Sequence, residues 1–207
     1  MRSNSRLVLQ FSKIHKVICN PRLALALLNA LIRIRGRARA PLSVRLRGKI
    51  CFAGEGDVVF GKGITLIGSV VPIEFVSHKG ARILIGDHTF INYGSSISAY
   101  ELVTVGSHCL LGHYTFILDN NEHEIEHHNF VPPSQPVVVE DHVWIGSRVV
   151  ILPGVRVGHH SAVGAGSVVT NDVPPYCLAA DNPARVVRRL DERPKIQFGS
   201  EPEGARA

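Results

Sequence analysis

Apolar positions in the second half of the chain recur every six residues. From Val139 to Pro174 the sequence divides into VEDHVW, IGSRVV, ILPGVR, VGHHSA, VGAGSV and VTNDVP, with Val139, Ile145, Ile151, Val157, Val163 and Val169 leading the units. The fifth position is Val143, Val149, Val155, Ser161, Ser167 and Val173, small or β-branched throughout, and three of the six units carry Gly at the second. A period of six matches neither the 3.6-residue turn of a helix nor the alternation of a long strand. It predicts a solenoid of very short strands, in which three units close a triangular coil and coils stack at about the 4.8 Å spacing of paired strands. Val139 then lies on Val157, Ile145 on Val163 and Ile151 on Val169. Each such aliphatic contributes roughly 1.5 to 3 kcal/mol if fully buried.

The same register runs backwards through the chain. Ile85, Ile91 and Ile97 lead three units and stack on Val105, Leu111 and Ile117, with two residues too many before Val105. After Ile117 the next restart is Val139, 22 residues on instead of six. Both interruptions fall at one corner of the triangle, one coil apart. The second leaves the prism as a loop, residues 118–138, and long loops inside compact repeats usually carry function.

Ahead of the solenoid, assigned to residues 50–183, the pattern changes to helical. Leu7, Phe11, Ile14 and Ile18 share one face of a first helix. Asn20 is placed to cap a second, with Pro21 at its first position and Gly36 past its end. Its apolar interior is too short for a bilayer that needs roughly 20 residues. Residues 184–192 read as a short C-terminal capping helix, followed by a loose tail to residue 207.

Charge sharpens this division. Residues 1–50 hold 12 Lys and Arg and no acid, so the remaining 11 basic and 17 acidic residues leave the body at −6 under a net charge of +6. Two readings of the basic segment, residues 1–49, stand side by side: helices packed on the solenoid or a neighbouring subunit, and a peripheral contact with an anionic membrane surface. Nucleic acid is disfavoured, because aromatic interleaving and binding motifs are missing. Cys19, Cys51, Cys109 and Cys177 form no CxxC pair and read as reduced, buried thiols. With no convincing secretory signal at the start, a cytoplasmic protein is expected.

The run VWIGSRVVILPGVRVGHHSAVGAGSVVTNDVPPYCLAADNPARVVRRL closely resembles the hexapeptide repeats of left-handed parallel β-helix acyltransferases, in the branch of maltose, galactoside and polysaccharide O-acetyltransferases. Left-handedness is implied by the resemblance alone, since parallel crossovers are normally right-handed. The resemblance also implies a homotrimer with sites between subunits, acetyl-CoA as acyl donor, a saccharide acceptor and no metal.

The inserted loop, LDNNEHEIEHHNFVPPSQP, gathers His123, His127 and His128 with Asp119, Glu122, Glu124 and Glu126. Histidine beside carboxylates is the usual material for a general base near neutral pH. Ile117, Asp119 and His123 match the I-x-D-x-x-x-H arrangement of the polysaccharide branch, so the essential histidine of the similar enzymes lands on His123, with His127 or His128 as alternatives. Asp119 either orients His123 or binds the acceptor. The resemblance further assigns the oxyanion donor to the Ser147 amide. It places coenzyme contacts at Ser147, Ala165, Thr170, Arg185 and Arg188, where arginine suits phosphate because its planar fork bonds bidentately. Trp144 falls at a sixth position, where it either packs on the surface or lines the substrate or coenzyme cleft.

Two positions depart from the family pattern: Asn171 stands where many relatives have Lys, and Asp181 precedes NPA where Gly is usual. Both bear on coenzyme binding, and they motivate a second reading as a non-catalytic scaffold. A third reading, a γ-carbonic-anhydrase-like metal enzyme, requires a Gly-His followed five residues later by His; here Leu118 follows Gly112-His113 and Gly164 follows Gly158-His159.

Overall fold

The structure is a computed structural model and describes residues 20–124 and 131–190. Among these residues it is a three-faced parallel solenoid with one helix at its N-terminal end. The first face stacks Asp57–Phe60, Arg82–Ile85, Leu102–Val105, Val137–Val139 and Arg156–Val157. The second stacks residues 65–68 with Phe90–Ile91, Leu110–Leu111, Trp144–Ile145, Ala162–Val163 and Cys177–Ala180. The third stacks residues 74–77 with Ser96–Ala99, Phe116–Leu118, Val150–Ile151 and Val168–Val169.

Every predicted stack is present: Val139 pairs with Val157, Ile145 with Val163, Ile151 with Val169, Ile85 with Val105, Ile91 with Leu111 and Ile97 with Ile117. These side chains fill the prism, all of them 3% exposed or less. At the narrow corners small hydroxyls replace aliphatics, and each finds a carbonyl: Thr89 Oγ1 donates to Gly106 O, and Ser161 Oγ to Pro174 O, both at 2.7 Å. Burial pushes the Cys109 thiol up to about 11, which suits a packing role. Cys177 is also buried, but Cys51 is exposed, correcting the expectation of buried thiols; Cys19 lies outside the described residues.

The solenoid starts earlier than residue 50. Arg45–Ala53 already pairs with Thr65–Ser77, and both strands run through the corner from the second face to the third. Gly48 and Gly68 permit this close approach: a Cβ on Gly68 would sit 1.9 Å from the Lys49 carbonyl oxygen. Gly68→Ala is therefore expected to destabilise the protein by about 2–3 kcal/mol, lowering Tm by roughly 5–10 °C in a thermal unfolding scan.

Asn20 caps the helix Pro21–Ile34 as expected, its side chain accepting from the Leu23 amide at 3.1 Å. The first expected helix, residues 7–18, and the tail after residue 190 lie outside the described residues. The C-terminal helix is a correction. Arg185–Arg189 is a strand, antiparallel to Cys177–Ala180. The edge of the second face offers unpaired backbone groups, and the β-branched Val186 and Val187 suit a strand that covers them.

The fourth position of the unit is left-handed wherever a tight corner follows. At the corner between the first and second faces it is His88, His108, His142, His160 and Tyr176, with φ between 55° and 60°. Histidine tolerates this region better than most side chains. Because coils repeat at the strand spacing, the five rings form a continuous stack with centroids 5.1, 4.9, 4.6 and 4.9 Å apart. Burial and the neighbouring His142 and His159 hold His160 below its ordinary pKa, against a smaller opposing pull from Asp141. As pH falls through the ordinary histidine range the unfolded chain takes up a proton that folded His160 resists, and stability is lost. A Tm series from about pH 8 to about pH 5 should slope downwards, and less steeply in His160→Asn, which keeps the backbone but cannot titrate.

Candidate active site

The two interruptions of the repeat meet through Asp119. Its side chain is fully buried at the start of the long loop. One carboxylate oxygen accepts from the Tyr100 amide (2.7 Å), the other from the amides of Glu101 (2.8 Å) and Leu102 (2.7 Å). Tyr100 and Glu101 are the two extra residues of the preceding coil. One carboxylate thus fixes the smaller insertion beneath the larger.

Asn120, also buried, staples the loop's two ends. Its Nδ2 donates to Pro132 O (2.7 Å) and Ser134 Oγ (3.2 Å), while its Oδ1 accepts from the Glu122 amide (2.6 Å). Glu122 is left-handed, at φ 63°, and the His123 amide donates to Asn121 O at 2.7 Å. This turn places His123 at the surface of the third corner. His127 and His128 lie outside the described residues.

Sequence reading missed an aromatic pair beside this loop. His78 and Tyr100 stack with centroids 3.7 Å apart, and burial, then Glu122, then Asp119, raise the Tyr100 hydroxyl pKa above its ordinary value. Both residues lie at the same interrupted corner, one coil apart, which is the signal that could have found them.

Ser147 and Ala165 lie one coil apart at the second corner, between the second and third faces. Several of the equivalent amides at the first corner are satisfied by side chains. There, the Lys62 and Ser107 amides donate to Asp87 and Asp141, and the His159 amide to Glu140. The hydrogen bonds from the His159 amide and Arg156 outweigh burial and hold the Glu140 carboxyl below its usual range. By contrast, the Ser147 and Ala165 amides donate to no acceptor among the described residues. Ser147 is half-buried and Ala165 exposed. Two stacked open donors suit an extended amide-bearing ligand or an oxyanion. The Ser147 hydroxyl is engaged instead with His113 Nδ1 (2.9 Å), whose ring stacks on Tyr93.

Trp144 projects outwards from the second face, 61% exposed. Thr170 lies at the third corner, its hydroxyl donating to Asn171 Oδ1 (2.9 Å). Arg185 and Arg188 are exposed on the terminal strand, each donating only to a neighbouring backbone carbonyl. Asp181 is left-handed, at φ 87°, which explains why glycine suits that position. No three His, Cys, Asp or Glu side chains among the described residues are arranged to hold a metal ion. His113 and His159 lie at different corners.

The model for bacterial transferase hexapeptide, six repeats, matches residues 136–171. The hexapeptide-repeat acetyltransferase VCA0836 of Vibrio cholerae is 32% identical, with 70% of this chain and 73% of that one covered and a TM-score of 0.51. The chain belongs to the hexapeptide-repeat transferase family. With that membership comes the left-handed winding of the parallel β-helix. Other members of the family extend the comparison. The VCA0836 complex with acetyl coenzyme A covers 87% of this chain and 90% of that one, at 29% identity and a TM-score of 0.54. Escherichia coli galactoside O-acetyltransferase is 39% identical over 132 residues, which is 62% of this chain and 64% of that enzyme's length. The polysialic-acid-specific acetyltransferase NeuO covers 75% of this chain and 74% of its own at 26% identity, with a TM-score of 0.61.

Proposed function

We propose that this hexapeptide-repeat transferase is an acetyl-CoA-dependent O-acetyltransferase acting on a saccharide hydroxyl, with a role in surface polysaccharide or glycolipid synthesis. The observation that carries the reading is the pair of open amides at Ser147 and Ala165, stacked along a corner of a fold whose relatives include one seen with acetyl coenzyme A. Arg185 and Arg188, exposed near the C-terminal end, are the candidates for the phosphates.

Acetyl-CoA supplies the activated acyl carbon. His123 accepts the proton of the attacking hydroxyl as the C–O bond forms and gives it to the sulfur as the C–S bond breaks, ending as it began. The Ser147 N–H donates to the carbonyl oxygen while that oxygen carries charge. His123 sits at the third corner and Ser147 at the second, on opposite edges of one face, so a site using both fits a homotrimer in which one copy's loop meets its neighbour's second corner. The test is release of coenzyme A thiol from acetyl-CoA with a panel of saccharides, the products weighed by mass spectrometry. A product heavier by one acetyl group is expected; no turnover with any acceptor would favour the scaffold reading.

Asp181 bears on the same site. Asp181→Gly removes a left-handed side chain and a negative charge next to Ala180, the strand partner of the candidate phosphate ligand Arg185. It should raise Tm slightly and lower KM for acetyl-CoA severalfold, with kcat little changed.

A further inference from the structure

The helix Pro21–Ile34 carries two apolar stripes, and the solenoid covers one. Ala26, Ala30 and Ile34 are buried, and Asn29 Nδ2 ties the helix to the first strand by donating to Leu46 O (3.1 Å) and Gly48 O (2.8 Å). Leu25, Leu28 and Ile32, spaced by three and four on another side, are 65%, 52% and 69% exposed. Leu42, 79% exposed, continues the apolar surface across an open groove of about 660 Å³ that it lines with Leu28 and Leu31. A contiguous apolar patch of this kind marks an interaction surface.

What surrounds it is basic. Arg22, Arg33, Arg35 and Arg37 are exposed, and none is ion-paired to a carboxylate among the described residues. Residues 1–50 hold 12 Lys and Arg without an acid, against a body of −6. No helix among the described residues is long and apolar enough to cross a membrane.

We propose that this face of the helix lies on an anionic phospholipid surface, its leucines at the acyl-chain boundary and its arginines among the headgroup phosphates. Charge selects lipid over a second copy of the chain, since pairing two such faces would bring two unneutralised arginine clusters together. The acidic body is repelled by the same surface, so the solenoid stands away from the bilayer on its N-terminal end. A helix of 14 residues with this pattern lies in the interface and does not span it. The inference is independent of the proposed acetyl transfer, and it would bring that site within reach of saccharides carried on lipids.

The test is flotation of the full chain with vesicles of phosphatidylcholine alone and of phosphatidylcholine mixed with phosphatidylglycerol. Binding to the mixed vesicles should exceed that to neutral ones by about tenfold or more and should fall with added salt. Combined Leu25→Glu, Leu28→Glu and Ile32→Glu should lower it about tenfold with Tm unchanged, because those side chains are exposed; Arg33→Gln, Arg35→Gln and Arg37→Gln should do likewise. Three results would overturn the proposal. One is undiminished binding by the Leu/Ile variant. Another is loss of binding on deleting residues 1–19 while both sets of helix substitutions leave it intact. The third is failure of the wild type to bind, with the Leu/Ile variant instead changing oligomeric state, which would assign the patch to a second copy.

Discussion

Replacing His123 with alanine is expected to lower kcat for acetyl transfer by about 10²- to 10⁴-fold, the usual contribution of a positioned general base. The KM for acetyl-CoA should hold, because the Ser147 and Ala165 amides lie at another corner. Tm should change little, because His123 is exposed and Asp119 and Asn120 secure the ends of the loop. His127→Ala and His128→Ala serve as controls and should retain most of the activity. Equal rates in His123→Ala and wild type would move the base elsewhere, and a loss confined to His127→Ala or His128→Ala would name it.

Asp119→Ala should show the opposite signature, a loss of stability first. Its carboxylate is buried and holds three backbone amides at 2.7–2.8 Å. Removing a charged acceptor leaves those donors without a partner in a partly dry corner, a cost of about 3 kcal/mol or more. For a protein of this size that lowers Tm by roughly 10 °C, with an earlier onset of proteolysis in the 118–138 loop. Asp119→Asn should fall between, since its amide nitrogen would face a donor. If Asp119 acted only on the acceptor, Tm would stay and kcat/KM would fall. Its bonding supports a positioning role, in which activity declines because the loop carrying His123 is no longer fixed.

The contrast between these two residues shows how far the sequence reached. His123 is recommended by its place in the loop and by the resemblance. Asp119 was seen as an acid near a histidine, whereas the structure engages it with amides 17–19 residues earlier in the chain. Nothing in the spacing of acids and histidines announces such a bond. The ladder of His88, His108, His142 and His160 follows from the repeat, because each is the fourth residue of its unit and the repeat stacks equal positions, but the structure was needed to bring it out. The terminal strand was not: the alternation in Arg185–Arg189 is short, and an open sheet edge decided its pairing.

The sequence by itself determined the prism: which aliphatics face inwards, which coil lies on which, and which corner carries the insertions. It could do so because strand alternation and the six-residue corner are local properties, repeated often enough to set the register. Only the tertiary structure decided which corner amides meet an acceptor and which, Ser147 and Ala165 among them, do not, and which stripe of the N-terminal helix remains uncovered. Those outcomes depend on whether a side chain from another coil arrives within hydrogen-bonding or packing distance, and a periodic pattern contains no record of that.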